Sequence, residues 1–248
     1  MRTILVAFIV LLSLNACSEK TDFSTPAQSS IDEYTAKLKE CQDKNQAAGS
    51  TSQSPPPVPV ISPTNSLFDI NKNDYVQGNA QAKVVVVEYF SPTCPHCAYY
   101  HQKIFPEIKK KYIDTNKIAY VTREFIGNKQ DLDAALLARC PGTADDFFKF
   151  INVLLDRQDS WITNNKYRDV LTNIGQLGGV SPESYAKCLN DDALGAILIA
   201  NTQSIAKFPK FVGTPAFFIN GVYFTSPYTV DALANSIELA LKKSAETK

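Results

Sequence analysis

The sequence predicts an α/β fold, one sheet flanked by helices with an all-helical domain inserted into it. Three observations predict it. A continuous apolar, β-branched run over 82–90 gives way at once to helical spacing, a second strand-like run follows at 118–125, and helical spacing then prevails from about 130 to 207. A chain of 248 residues with 44% apolar content can bury one sizeable core with a small inserted domain. The 25 basic and 25 acidic residues balance, so no basic field points to nucleic acid and no acidic run to a solvating tail.

Taken from the N-terminus, Arg2 followed by an apolar run from Ile4 to Leu14 and small residues at Asn15 and Ala16 reads as an export signal. The run is too short for a membrane span, which needs about 20 residues. Leu14-Asn15-Ala16-Cys17 resembles a bacterial lipobox, in which the cysteine is lipidated and becomes the new N-terminus, although asparagine is unusual there. Ordinary cleavage nearby is the alternative, and it leaves Cys17 removed or as a free thiol. Residues 1–17 are thus assigned to the signal and 18–65 to a polar linker. The linker holds one weakly helical stretch over 31–44, read as a solvated stalk, and then Pro55, Pro56, Pro57 and Pro59, which favour extended backbone. Globular structure is expected from Ser66.

The run Val84 to Phe90 is typical of a strand buried on both faces. After it come Ser91-Pro92-Thr93-Cys94-Pro95-His96-Cys97 and a helix over 98–111, with Tyr100, Ile104, Ile108 and Tyr112 at helical spacing. The strand at 118–125 completes a β-α-β unit and so favours a parallel pair. Inside the insertion, assigned to 129–207, Leu132, Leu136, Leu137, Phe147, Phe148, Ile151, Leu154 and Leu155 repeat at helical intervals. Trp161, Tyr167, Val170, Leu171 and Ile174 continue the pattern, and Ser181 is placed to cap a helix after the Gly178-Gly179 turn. These stripes read as core. Beyond the insertion, Ala216 to Asn220 and Val222 to Phe224 read as a hairpin turning at Asn220-Gly221, followed by a closing helix over 229–242. Segments 66–128 and 208–248 therefore form one discontinuous domain.

The chemistry concentrates where the first strand hands over to a helix. Unpaired amides and partial positive charge at a helix N-terminus stabilise a thiolate, which makes Cys94 the expected nucleophile. A two-residue spacer lets the helical turn bring Cys97 within bonding distance, so the pair can open and close by exchange through a mixed disulfide. Pro95 suits the first helical position. His96 can add a donor or a charge beside Cys94, favouring the reduced pair, against the plainer reading of a surface imidazole.

Val84 to Cys97, with its strand, Cys-Pro-His-Cys and helix in that order, resembles the active-site region of the DsbA family of thiol oxidants in the thioredoxin superfamily. Gly213-Thr214-Pro215-Ala216-Phe217-Phe218 resembles the superfamily segment whose proline follows a cis peptide and faces the active-site disulfide. The resemblance covers about 66–241 and implies a thioredoxin-like fold with a helical insertion. It also implies that Thr214 and Pro215 present backbone to an extended substrate. Glu88, six residues before Cys94, lies at the spacing where thioredoxin-like proteins carry an acidic proton-transfer residue, so it can shuttle the proton of Cys97. A solvent-facing edge residue is the alternative for Glu88.

Cys140 and Cys188, on separate helices of an exported chain, are expected to pair, stabilising the insertion by about 2–4 kcal/mol; two separate buried thiols are the alternative. Cys41 is left odd, or pairs with Cys17 if both survive processing. The activity implied is disulfide exchange at Cys94-Cys97 on reduced exported proteins in the periplasm, with a DsbB-like membrane partner restoring the disulfide. No metal or nucleotide cofactor is implied. Rival readings are a reductase or isomerase, a redox partner in metal-site assembly, and a metal-binding module using Cys94, Cys97 and His101, which lacks a second Cys/His pair at suitable spacing.

Overall fold

The computed structural model describes residues 67–225 and 227–246; the signal, Cys17, the proline-rich linker, the 31–44 helix and Cys41 lie outside them. The strands are β1 (Val76–Gly78), β2 (Val85–Phe90), β3 (Ala119–Glu124), β4 (Ala216–Ile219) and β5 (Val222–Tyr223), arranged in one sheet in the order β1-β3-β2-β4-β5. The central pair β2 and β3 is parallel, in register from Val85 against Ala119 to Phe90 against Glu124. The β1-β3, β2-β4 and β4-β5 pairs are antiparallel. Strand β1 has only three residues and no apolar run, so the sequence pattern gave no sign of it.

Both central strands are buried on both faces, and with their β-branched and aromatic residues they bury the polar side chains Glu88, Thr122, Arg123 and Glu124. Alternation then sorts their side chains. Val86 packs with Tyr100, Ile104, Ile108, Phe217 and Ile237 on one face, whereas Val87, Tyr89, Val121 and Phe218 pack on the other with Ile205 and Phe208. The β4-β5 hairpin turns through Asn220 (φ 45°) and Gly221 (φ 77°), the pair of left-handed residues that a two-residue hairpin loop demands.

The helix that follows Cys94 differs from the expected continuous 98–111 segment. It starts earlier, as α1 (Pro95–Lys103), and breaks at Ile104 before the one-turn α2 (Phe105–Ile108) and a π-helical turn over Lys109–Ile113. Pro106 explains the break, since it has no N–H to donate and its ring crowds the carbonyl four residues back. The helical spacing survives because all the pieces pack on the same sheet face.

Between β3 and β4 the chain forms α3 (Lys129–Arg139), α4 (Ala144–Asp156), α5 (Gln158–Trp161), α6 (Tyr167–Leu177), α7 (Pro182–Cys188) and α8 (Asp192–Ala206). Their starts follow local chemistry. The side chains of Asn128, Thr143, Ser181 and Asp191 accept from the amides of Asp131, Asp146, Ser184 and Leu194 respectively. The apolar stripes of α3, α4 and α6 close on Trp161, which is fully buried. Cys140, capping the C-terminal end of α3, is disulfide-bonded to Cys188 at the end of α7, with the Cα atoms 5.7 Å apart. The chain ends in α9 (Val230–Glu246), which covers the sheet face shared with α1 and α2.

Two buried ion pairs hold the first described segment down. Arg123 pairs with Asp74 at 2.6 Å and donates to the carbonyls of Leu67 and Asp69 and to the Tyr89 hydroxyl, while Arg139 pairs with Glu124 and donates to the Asn73 carbonyl. Residues 67–74, which carry little regular structure, are thus tied to β3 and α3 through their backbone oxygens.

Candidate active site

Cys94 is the residue preceding α1, with extended backbone (φ −78°, ψ 119°), and Pro95 occupies the first helical position, where its missing N–H costs nothing. The Cys97 and Ala98 amides donate to the Cys94 carbonyl at 3.1 and 3.2 Å, closing the first turn. Both cysteines are free thiols; Cys94 is partly exposed and Cys97 fully buried. This asymmetry separates their chemistry.

The Cys94 thiol is pulled down to about 5. The hydrogen bond with the Cys97 thiol is the largest cause. Burial opposes it, and contributions from the Thr214 side chain and the backbone amides of Cys97 and His96 reinforce it. The Cys94 sulfur also lies 3.2 Å from the Thr214 carbonyl, a contact that serves the thiol form and so works against ionisation. Cys97 moves the opposite way, well above the usual thiol range, first through burial, then through its hydrogen bond to Cys94 and the charges of Cys94 and Glu88. One sulfur is therefore a thiolate at neutral pH and its neighbour a thiol.

The Thr214-Pro215 peptide is cis and sets the Thr214 backbone against Cys94 from the N-terminal end of β4. His96 is exposed at the start of α1; its contribution to the thiolate is its backbone amide. Glu88 is not a solvent-facing edge residue. It is fully buried in β2, accepts from the Tyr120 hydroxyl at 2.9 Å, and lies 2.9 and 3.1 Å from His101 Nε2. His101 is thus engaged with Glu88 from α1, one turn beyond Cys97.

Three residues escaped the sequence reading. Gln158, in the short helix α5, donates from one amide nitrogen to the carbonyls of Pro92 and Cys94 at 2.8 and 3.0 Å. Asp131, buried in the first turn of α3, accepts from the Ser91 hydroxyl, the Thr93 amide and the Gly127 amide at 2.8–2.9 Å, and its burial raises its pKa. Asn128 donates to the Thr93 hydroxyl at 3.0 Å. All three belong to the insertion or its entrance, and all three grip the loop that presents Cys94. Each sits at or near a helix start, a position the apolar spacing does not mark.

The family model described as Thioredoxin matches residues 70–239. A Rickettsia conorii protein carrying the provisional name protein-disulfide oxidoreductase is 48% identical, covering 99% of this chain and 97% of its own length. A Rickettsia prowazekii protein of the same provisional name is 61% identical over 74% of this chain and 67% of its own. Among solved structures, Wolbachia pipientis alpha-DsbA1 superposes with a TM-score of 0.68 at 28% identity, covering 72% of this chain and 96% of that one. Bacillus subtilis BdbD shares the fold at a TM-score of 0.61 and 22% identity, over 68% of this chain and 93% of that one.

The chain belongs to the thioredoxin superfamily and, within it, to the DsbA-like thiol:disulfide oxidoreductases. It is an enzyme of disulfide exchange; Cys94 and Cys97, just beyond the carboxyl end of β2, are the free thiols among the described residues.

Proposed function

We propose that the protein works as an exported oxidase, transferring the Cys94-Cys97 disulfide to reduced exported proteins in the periplasm and being reoxidised by a DsbB-like membrane partner. The observation that carries this reading is the split between the two thiols. A Cys94 thiolate with a pKa of about 5 is a good leaving group, and its stabilisation in the reduced enzyme favours giving the disulfide away. The export-type N-terminus supports the location, with lipidation at Cys17 as a means of tethering. No described helix is long and apolar enough to cross a membrane.

In this mechanism a substrate thiolate attacks Cys94 Sγ and the Cys94-Cys97 bond breaks, leaving its electron pair on Cys97. The buried Cys97 takes up a proton, for which Glu88 is the nearby carboxyl. A second substrate thiolate then attacks the substrate sulfur of the mixed disulfide and expels Cys94 as its stable thiolate. Thr214 and Pro215 present backbone on which an extended substrate can pair, and Val212, 91% exposed two residues upstream, offers apolar contact. The backbone amide of His96 helps hold the thiolate between turnovers.

The test is the equilibrium reduction potential of the pair in glutathione buffers, with Cys94→Ser as the silent control. A value well above about −270 mV, toward about −120 mV, supports the oxidase, whereas one near or below about −270 mV makes the protein a reductase.

A further inference from the structure

Exchange obliges Cys97 to gain a proton when it leaves Cys94 and to lose one when the disulfide re-forms. Its side chain is nevertheless wholly buried, and so is that of Glu88. Two routes lead away from Glu88. One runs through Tyr120 to Tyr100, whose hydroxyls are 2.9 Å apart; both phenols are enclosed in the core and held well above the usual tyrosine range, so this chain is a dead end for a proton at neutral pH. Thr122, 3.5 Å from Glu88, is equally enclosed.

The other route is His101. It lies four residues after Cys97 and therefore on the same face of α1. Its Nε2 faces Glu88, while its Nδ1 is buried and has no hydrogen-bond partner among the described residues. The same ring borders a groove of about 310 Å³ between α1-α2 and α4, whose polar lining is Gln102, Lys109, Asn152 and Asp156. The imidazole thus has one nitrogen on the buried carboxyl, and its ring forms part of the wall of that groove.

We propose that His101 and Glu88 form a proton relay joining Cys97 to the groove between α1-α2 and α4. This rests on the exchange reading above. As the Cys94-Cys97 bond breaks, Cys97 takes a proton through Glu88, Glu88 takes the Nε2 proton, and Nδ1 takes one from groove water. The substrate loses two electrons and the cysteine pair gains them. Reoxidation runs the transfers backwards: Cys97 returns its proton through Glu88 to Nε2, Nδ1 releases one to the groove, and the imidazole is reset without turning over. A histidine suits this place because its two nitrogens point in different directions, which a carboxylate or an amide cannot reproduce as a conduit.

The experiment follows single-turnover reduction of the disulfide in the full chain by dithiothreitol, from pH 5 to 9, in the wild type, His101→Gln and His101→Ala. Gln can still donate to Glu88 but cannot pass a proton. His101→Gln is expected to react on the order of 10²-fold more slowly at pH 7 with an altered pH profile, and external imidazole entering by the groove restores the rate of His101→Ala. An unchanged rate and pH profile in folded His101→Gln overturns the relay alone. If His101→Gln does not fold, Asn152→Trp, an exposed substitution that covers the groove, must slow the reaction in its place; a wild-type rate there overturns the relay. A wild type with no exchangeable pair overturns both the relay and the exchange reading.

Discussion

Titrating the stability of the two redox states against each other tests the electrostatics of the site most directly. In the reduced protein the Cys94 thiol ionises at about 5 when folded and at about 8.5 when unfolded. A depressed folded pKa contributes stability that is complete above the unfolded value and disappears as pH falls through the folded one. At pH 7 the folded thiol is about two units above its pKa while the unfolded one is still protonated. At about 1.36 kcal/mol per unit this is about 2.7 kcal/mol, which solvent access to the partly exposed sulfur reduces to about 1–2 kcal/mol. Cys97, pushed upward, is protonated in both states across this range and adds no pH dependence. The disulfide's own effect on the unfolded chain does not vary with pH, so the measurement is a difference of differences. Unfolding free energies of reduced and oxidised protein, from urea titrations at pH 7 and pH 4.5, should show the reduced form gaining about 1–2 kcal/mol relative to the oxidised form at the higher pH. Cys94→Ser, which forms no disulfide, should change its unfolding free energy between the two pH values as the oxidised wild type does. A reduced-minus-oxidised difference that does not change between the two pH values, or that changes with opposite sign, would refute the assignment of a stabilised Cys94 thiolate.

Three further outcomes follow from named contacts. Gln158→Ala leaves the carbonyls of Pro92 and Cys94 without their side-chain donor; a loss of about 1–3 kcal/mol is expected by urea titration, with a measurable shift in the Cys94 thiolate absorbance titration, which a purely distant packing residue would not cause. Replacing Cys140 and Cys188 together by alanine opens a loop spanned by a sequence separation of 48; thermal melting should register a loss of about 2–4 kcal/mol, while the reduction potential of Cys94-Cys97 stays within error. Arg123→Met strands Asp74, which is itself buried, and should cost about 3–5 kcal/mol with early proteolysis of 67–75, because the carbonyls of Leu67 and Asp69 lose the same donor.

What the sequence made legible was whatever repeats with a period or obeys a local rule. The β2 and β3 runs are rich in β-branched and aromatic residues because the strands are central, and the Asn220-Gly221 turn is visible because the backbone there needs left-handed residues. Cys94, Cys97, Thr214 and Pro215 could be picked out because their neighbours carry a recognisable order. The break at Ile104 was legible too, through Pro106, but the strong apolar spacing on either side masked it. Strand β1 was beyond reach: its residues Val76, Gln77 and Gly78 join the sheet through backbone pairing with β3 alone. Gln158, Asp131 and His101 form a different class. Each is a polar residue in a helix, indistinguishable in sequence from a solvated one, and its role exists only because tertiary packing places it against a backbone or a carboxylate more than ten residues away.

That last class explains why the helical insertion belongs to the chemistry as well as to the core. The sheet supplies Glu88 from β2 and the cis Thr214-Pro215 peptide from the start of β4. The loop between β2 and α1, however, is held by the insertion: Asp131 binds Ser91 and Thr93, Asn128 binds Thr93, and Gln158 binds Pro92 and Cys94. Every residue from Ser91 to Cys94 is therefore held by the insertion or its entrance. Cys97 itself packs in the same cluster as Trp161, Leu154 and Leu137 of the insertion. A thiol sealed in by the insertion is desolvated, its pKa rises, and its hydrogen bond becomes available to Cys94 as the largest single stabiliser of the thiolate. The low pKa of the partly exposed sulfur thus leans first on the hydrogen bond from its buried partner, and changes that loosen the α3-α5 side should weaken the nucleophile without touching either cysteine.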